Sequence, residues 1–430
     1  MKKSIFIVMT LLMIVFVCVL GNNTCDDIWN YGFSYNIAKG AIPYEDFNMV
    51  IMPLYSLLMS VPLTLFGNKL IVFHLSNIIL FSIVLYFTSS EKKIANILLI
   101  YITFFVPVAL ISNYNTFVVL ILILVLYIER SSFKYKEEII GILLGCILAT
   151  KQNIGILLFI PYILHSKEKI KSIIYYLIPI TLVCLYLIFN NALFECIDYC
   201  FFGLSNFKEN FIIQTPITII MEILVCIYLI FKYRKTKDIN YIYILFFQSV
   251  NYPLFDLAHL IVGIMPLFYY IDFNKFNKYI LLFITGVLIG ILSILCLLKV
   301  FDSDNYKNIN KKGVYEYTTI NISYLENNKK IINSNKNKRI FIFDYSAYVT
   351  KIYMNQKLDK YDLINKGNMG KDENKYIREI DSICKKKECM FIMDRKKFDK
   401  NSQLNSIIKE YVLENYRKCD SNLMNYYCNS

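Results

Sequence analysis

IIGILLGCILATKQNIGILLFIPYILH, residues 139–165, is two apolar runs separated by Lys151-Gln152-Asn153, and how it is read decides the fold. Each run is shorter than the roughly 20 residues that a straight membrane helix needs, so length alone allows one crossing or two. The flanking charges discriminate. Lys134 and Lys136 precede the stretch and Lys167, Lys169 and Lys171 follow it. Basic residues in short loops collect on the cytoplasmic side of a membrane, so both ends lie there and the stretch is a hairpin with Lys151 at its outer tip.

The same test applies to Tyr241 to Tyr270. Lys232, Arg234, Lys235 and Lys237 stand before it and Lys275 and Lys278 after it, so it too goes out and returns. Working outward, further apolar runs cover Asn68 to Thr88, Ile94 to Ile111, Phe117 to Ile128, Ser172 to Ile188, Thr215 to Phe231 and Lys278 to Leu298. Ser4 to Leu20, behind Met1-Lys2-Lys3, resembles a signal peptide but lacks a small-residue cleavage site and is read as an uncleaved anchor with its basic end in the cytoplasm. The expected fold is mainly α, a polytopic membrane bundle of about 11 spans. A small extracytoplasmic α/β domain follows it.

Composition agrees. The 430 residues are 56% hydrophobic and 18% charged, with a mean hydropathy of +0.45, too apolar for a soluble enzyme with a polar shell. The pattern shifts near Val300, giving a membrane domain over 1–300, with a first outer loop at 21–66, and a Lys- and Asn-rich soluble domain over 301–430. The net charge of +13 does not indicate nucleic acid, because the basic residues sit between spans or are scattered through the tail without a recognition motif. Among the 12 cysteines no zinc-type spacing occurs. Cys384 with Cys389, and Cys419 with Cys428, are disulfide candidates if the tail is outside the cell; free thiols are an equal reading.

Sidedness gathers the chemically useful residues. The outer face collects Asn22 to Asn48, Ser112 to Thr116, Lys151-Gln152-Asn153, Asn191 to Asn210, Asn251 to Asp256 and the tail. Polar groups at membrane depth are tolerated where they line a wet cavity.

In the first outer loop, Thr24 to Gly40 reads as an amphipathic helix stopped by Gly40. Trp29, Phe33 and Ile37 form an apolar stripe and Asp26, Asn30 and Ser34 a polar one, which places the helix at the bilayer surface with its carboxylates toward the cavity. Thr24-x-x-Asp27 also resembles a capping box, which would occupy Asp27 in the helix start and leave Asp26 as the better general base. Ile42-Pro43-Tyr44-Glu45-Asp46-Phe47-Asn48 and Pro53-Leu54-Tyr55 follow.

These elements, in this order, resemble the membrane-embedded GT-C glycosyltransferases, in the branch of the protein O-mannosyltransferases and bacterial aminoarabinose transferases. The matching residues are Asp26-Asp27 after the first span, the helix ending in Gly40, Pro43-Tyr44-Glu45-Asp46-Phe47, and Pro53. Asp-Asp stands where the family commonly has Asp-Glu, and one proline where a pair is frequent. The resemblance covers roughly residues 1 to 90 and is architectural beyond. It implies a hexosyl- or pentosyltransferase, working with inversion from a polyprenyl-phosphate sugar. Asp26 and Asp27 are then the catalytic candidates, and Tyr44 and Asp46 belong to the substrate-binding motif.

Other outer-face candidates are Lys151, which can hold a lipid phosphate or simply snorkel to the headgroups, and Asp256 with His259. The last two lie i, i+3 on one helix face, either binding phosphate or bonding only to each other. Asp256-x-x-His259 resembles a late-loop pattern of bacterial relatives. In the tail, Arg339 to Asp344 and Met390 to Asp394 read as short buried strands, with helical patterns at Lys375 to Lys385 and Ser402 to Tyr416. The alternation predicts a parallel α/β domain suited to acceptor recognition.

The expected function is transfer of a sugar from a polyprenyl-phosphate donor to a cell-envelope glycan, lipid or protein acceptor on the outer membrane face. The expected setting is a multi-pass cell-membrane protein with a cytoplasmic N-terminus. A transporter or flippase for lipid-linked saccharides is the alternative, for which internal repeats and broken helices at matching places would be the sign. A scaffold presenting the tail would leave the outer carboxylates without a role. No cofactor is assigned; the sequence is compatible with a divalent metal and does not specify one.

Overall fold

The computed structural model describes residues 2–20, 25–88, 99–101, 113–203, 212–213, 216–252, 254–271, 286–287, 289–291, 293–294, 322–343, 347–362, 370–372, 374–393, 406–419 and 425–428. The apolar segments expected at 94–111 and 278–298 lie largely outside them, as does the proposed cap at Thr24. The described part is mainly helical. In chain order come α1 (Lys2–Leu20), α2 (Cys25–Ala38), α3 (Leu54–Phe66), α4 (Leu70–Thr88), α5 (Tyr114–Glu129), α6 (Lys136–Leu148), α7 (Gln152–His165), α8 (Lys169–Phe189) and α9 (Leu193–Ile197). A π-helical turn (Asp198–Phe202), β1 (Ile212–Ile213), α10 (Pro216–Thr236), α11 (Asn240–Phe247), β2 (Leu254–Phe255) and α12 (Leu257–Tyr270) follow. The last part holds α13 (Ile322–Ser334), β3 (Arg339–Phe343), α14 (Ala347–Tyr353), α15 (Asn374–Cys384), β4 (Cys389–Met393), α16 (Ser406–Asn415), β5 (Arg417–Cys419) and β6 (Asn425–Cys428).

Two compact units divide the chain. The first comprises Met1–Tyr31, Met52–Leu185 and Asn210–Tyr317, the second Gly32–Ile51, Tyr186–Glu209 and Thr318–Ser430. The tail therefore shares its unit with residues 32–51 and 186–209.

In the first unit, α4, α8 and α10 are each long and apolar enough to cross a membrane. On α10, Ile217, Ile220, Leu224 and Ile227 are exposed. An apolar face of that kind is stable against lipid and not against water. Both hairpins expected from the loop charges are present as antiparallel helix pairs. In α6–α7, the Tyr162 hydroxyl near the end of α7 donates to the carbonyl of Glu137 at the start of α6 (2.8 Å), and Ser166 Oγ donates to the Glu137 carboxylate (2.8 Å). Between α11 and α12, Gln248 Nε2 donates to the Gly263 carbonyl (2.8 Å) and Asn240 Nδ2 to the Tyr270 hydroxyl (3.1 Å). The first hairpin closes so tightly that a Cβ on Gly155 would stand 2.3 Å from the Leu148 Cα. Only glycine lets the two backbones approach this far.

The second unit is built on a four-stranded sheet in the order β3-β4-β6-β5. As the two apolar runs predict, β3 and β4 pair in parallel, from Arg339 opposite Cys389 to Phe343 opposite Met393. Ile342, Met390 and Ile392 form its core, and the Phe341 and Phe391 rings stack at 5.2 Å. The antiparallel β5–β6 pair was not foreseen, because Arg417-Lys418-Cys419 and Asn425-Tyr426-Tyr427-Cys428 carry no apolar run. Cys384 and Cys389 form a disulfide; Cys419 and Cys428 face Tyr426 and Arg417 in the register instead of each other.

Candidate active site

The acidic pair belongs to the first turn of α2, one turn before Tyr31 on the same helix. That helix exists as expected and gives way to Gly40, whose φ of +77° is the left-handed stop that suits glycine. Its environment differs from the expectation. Asn30 and Ser34 of the polar stripe are as buried as Phe33 of the apolar one, so residues 30–36 of α2 are covered on both faces instead of exposing a polar one. Packing is the reason: Phe33 stacks on Phe47 at 6.0 Å, while Tyr31 packs on Phe73 at 5.6 Å and donates to the Asn68 carbonyl (3.0 Å).

From Phe73 an aromatic chain continues within the first unit. Tyr55 lies 6.4 Å from Phe73 and 5.4 Å from Phe117, and its hydroxyl donates to Asn77 Oδ1 (2.9 Å). Tyr55 follows Pro53-Leu54, and the Leu54 N–H donates to the Ala149 carbonyl (3.1 Å). The proline-led segment is thereby docked on the hairpin tip that carries Lys151.

Lys151 is only 9% exposed. Its ammonium donates to Asn115 Oδ1 at 2.8 Å and lies 5.5 Å from the centre of the Tyr114 ring. Asn115 sits in the first turn of α5, where Asn113 caps the helix by accepting from the Thr116 N–H (3.0 Å). Burial of an ammonium in a membrane unit is costly, and such groups mark ligand or ion sites by default. Sequence reasoning placed 112–116 on the same face but did not single out Asn115. The signal available was Asn-Tyr-Asn-Thr, a run of hydrogen-bonding residues at a helix start.

Asp256 and His259 do meet. Asp256 caps α12, accepting from the His259 N–H (2.8 Å), and both carboxylate oxygens lie 2.9 Å from His259 Nδ1. Burial works to raise the Asp256 carboxyl, but the bonds and charge of His259, with the backbone N–H groups, outweigh it and hold the group below the usual carboxylate range. One carboxylate thus fixes both the helix start and the orientation of the imidazole.

Tyr44 and Asp46 belong to the second unit and close their own loop. Asp46 Oδ2 accepts from the Ile42 N–H (2.7 Å), the Tyr44 N–H donates to the Phe47 carbonyl (2.8 Å), and Tyr44 holds a left-handed φ of 70°. The Tyr44 phenol is buried, donates to the Ile51 carbonyl (2.6 Å) and stacks on Tyr199 at 6.3 Å. Burial pushes its pKa far up, with the Cys200 and Cys196 thiols adding to the shift. Among the described residues no three His, Cys, Asp or Glu side chains gather as a metal site would require. A charged depression lined by Lys134, Lys136, Glu137, Glu168 and Lys171 sits at the opposite end of the α6–α7 hairpin from Lys151.

The described residues form a helical, membrane-like fold that carries an acidic helix, a buried lysine at a hairpin tip and a mixed sheet. Over its whole length the chain is similar to the solved structure of ArnT from Cupriavidus metallidurans bound to undecaprenyl phosphate. The match covers 100% of this chain and 98% of that one, with a TM-score of 0.58 and 10% identity. The expected resemblance to the aminoarabinose transferases thus holds at the level of fold. No family profile matches the chain, and no curated protein matches it in sequence.

Proposed function

We propose that the protein is a membrane glycosyltransferase that moves a sugar from a polyprenyl-phosphate carrier to a cell-envelope acceptor on the outer face. The observation that carries this reading is the full-length likeness to a structure holding undecaprenyl phosphate. The acidic helix and the buried Lys151 support it.

In this mechanism the carboxylate of Asp26, or of Asp27, accepts the proton of an acceptor hydroxyl. The oxygen attacks the anomeric carbon, the bond from that carbon to the phosphate oxygen breaks, and the configuration inverts. Lys151 stabilises the charge that develops on the departing phosphate, and His259, oriented by Asp256, is a second phosphate ligand. Tyr44 and Asp46, which hold the shape of loop 42–47, are substrate-binding candidates by the resemblance alone. The topology proposed with this function has about 11 spans, a cytoplasmic N-terminus and an outer tail. The Cys384–Cys389 disulfide supports that sidedness, since such bonds persist in oxidising compartments.

The test is to make Asp26→Asn and Asp27→Asn separately and compare surface glycans and lipid-linked sugar pools. Accumulated donor with loss of one glycan in at least one variant is expected. Wild-type behaviour in both would remove the catalytic assignment.

A further inference from the structure

Within the second unit, the later half of α2 is held by side-chain bonds to the segment 355–360. Asn36, fully buried, makes both bonds that a neighbouring strand would make with Leu358: its Nδ2 donates to the Leu358 carbonyl (3.1 Å) and its Oδ1 accepts from the Leu358 N–H (2.8 Å). Beside it, Tyr35 donates to Asn355 Oδ1 (3.3 Å), and Lys39 Nζ donates to the Asn355 carbonyl (2.7 Å) and Oδ1 (2.6 Å). Ten residues past the end of the helix, Asn48 Nδ2 donates to the Lys360 carbonyl.

The segment is itself locked to the sheet domain. Lys351 pairs with Asp359 (3.0 Å) and Asp362 (2.5 Å), and Arg339 of β3 pairs with Asp359 (2.8 Å). The Asp359 N–H donates to Asp362 (2.6 Å), and Glu379 of α15 receives both Lys360 (2.7 Å) and the Tyr361 hydroxyl (2.9 Å). Apolar contacts alone allow a helix to slide or rotate by small amounts. Paired, directional amide bonds to a charge-locked backbone do not, because slipping would leave a buried N–H and C=O without partners.

We propose that segment 355–362 is a strap that fixes the rotation and height of α2, which makes Asn36 a positioning residue for the acidic turn ten residues, about 15 Å, earlier on the same helix. The role rests on Asp26 or Asp27 being the base. It gives the tail a part in chemistry, through α2, that acceptor recognition would not require.

The experiment uses the full-length protein in lipid nanodiscs, with Asn36→Ala and Asn355→Gly. Glycine accepts the positive φ of 58° at position 355, so the second variant removes the side-chain acceptor without straining the strap. Hydrogen–deuterium exchange of the α2 amides is expected to speed up about tenfold in Asn36→Ala and less in Asn355→Gly, with β3 and β4 unchanged. In cells, lipid-linked sugar should accumulate, while affinity for added undecaprenyl phosphate stays at the wild-type value. If Asn36→Ala loosens the sheet as well, Asn355→Gly decides. Unchanged α2 exchange in that variant, or faster α2 exchange with normal sugar consumption, overturns the strap. The failure of the base assignment would look different: Asp26→Asn and Asp27→Asn would both behave as wild type while the exchange effect remained.

Discussion

Lys151 and Lys351 are both buried lysines, 9% and 8% exposed, one at the tip of a helical hairpin and the other in the sheet unit. Lys351, in the sheet unit, has two carboxylates within salt-bridge distance and a guanidinium sharing one of them. Lys151, in the membrane unit, donates to an amide oxygen and lies over a tyrosine ring. Charge matched by charge is what a domain uses to lock its own backbone. A buried ammonium in a membrane unit is the group that, on the proposed function, a lipid phosphate would meet.

The sharpest way to break this contrast is to replace each lysine by methionine. Lys351→Met leaves Asp359 and Asp362 facing each other in the interior and should cost about 3–5 kcal/mol of stability, read as a lower denaturation midpoint of the sheet unit. Lys151→Met should leave that midpoint alone and instead reduce sugar transfer by about a hundredfold, with weaker binding of undecaprenyl phosphate. Equal effects of the two variants on stability would erase the distinction.

Acidity sharpens it further. Burial pushes Asp362 up to about 7, with the Asp359 charge adding to the rise and Lys351 opposing it. Between its ordinary value of 3.8 and about 7 the native state holds a proton that the unfolded chain has released. This group therefore makes the sheet unit lose stability as pH rises from about 4 to 7, with no further change above that. Denaturation midpoints of Asp362→Asn measured across this range should lack the slope that the wild type shows. The smallest effect expected is at Asp256: Asp256→Ala removes the cap of α12 and should cost about 1 kcal/mol. Asp256→Asn keeps the cap but gives up the carboxylate that orients His259, so any loss of transfer beyond the loss in stability measures that orientation.

How much of this was legible depends on the range over which residues act. Loop lysines around 139–165 and 241–270 revealed both hairpins, because the membrane sorts charge locally. The strands Arg339–Phe343 and Cys389–Met393 showed as apolar runs, and Gly40 marked a helix end. The burial of both faces of α2 over residues 30–36 was not legible. Its stripes of Trp29, Phe33 and Ile37 against Asn30 and Ser34 describe two faces, and a helix covered on both faces carries the same pattern as one lying on a surface. Nor does any periodicity announce that Asn36 will meet Leu358, since a side-chain amide bonding a distant backbone leaves no mark at either position. The candidate acids and Lys151 were visible as residue types on one face; their supporting residues Asn115, Tyr55 and Asn77 were not, because their part is set by neighbours far along the chain.

The contact between Gly155 and Leu148 has a consequence for how this protein can diverge. A lysine at a hairpin tip can drift to arginine, or move a position, and still present a cation. A glycine whose added methyl group would stand 2.3 Å from the Leu148 Cα has nowhere to go, since even alanine would pry the two helices apart. Over long descent the residue without a side chain should be the slower to change, and the turn it closes should outlast the particular sugar that any one lineage handles.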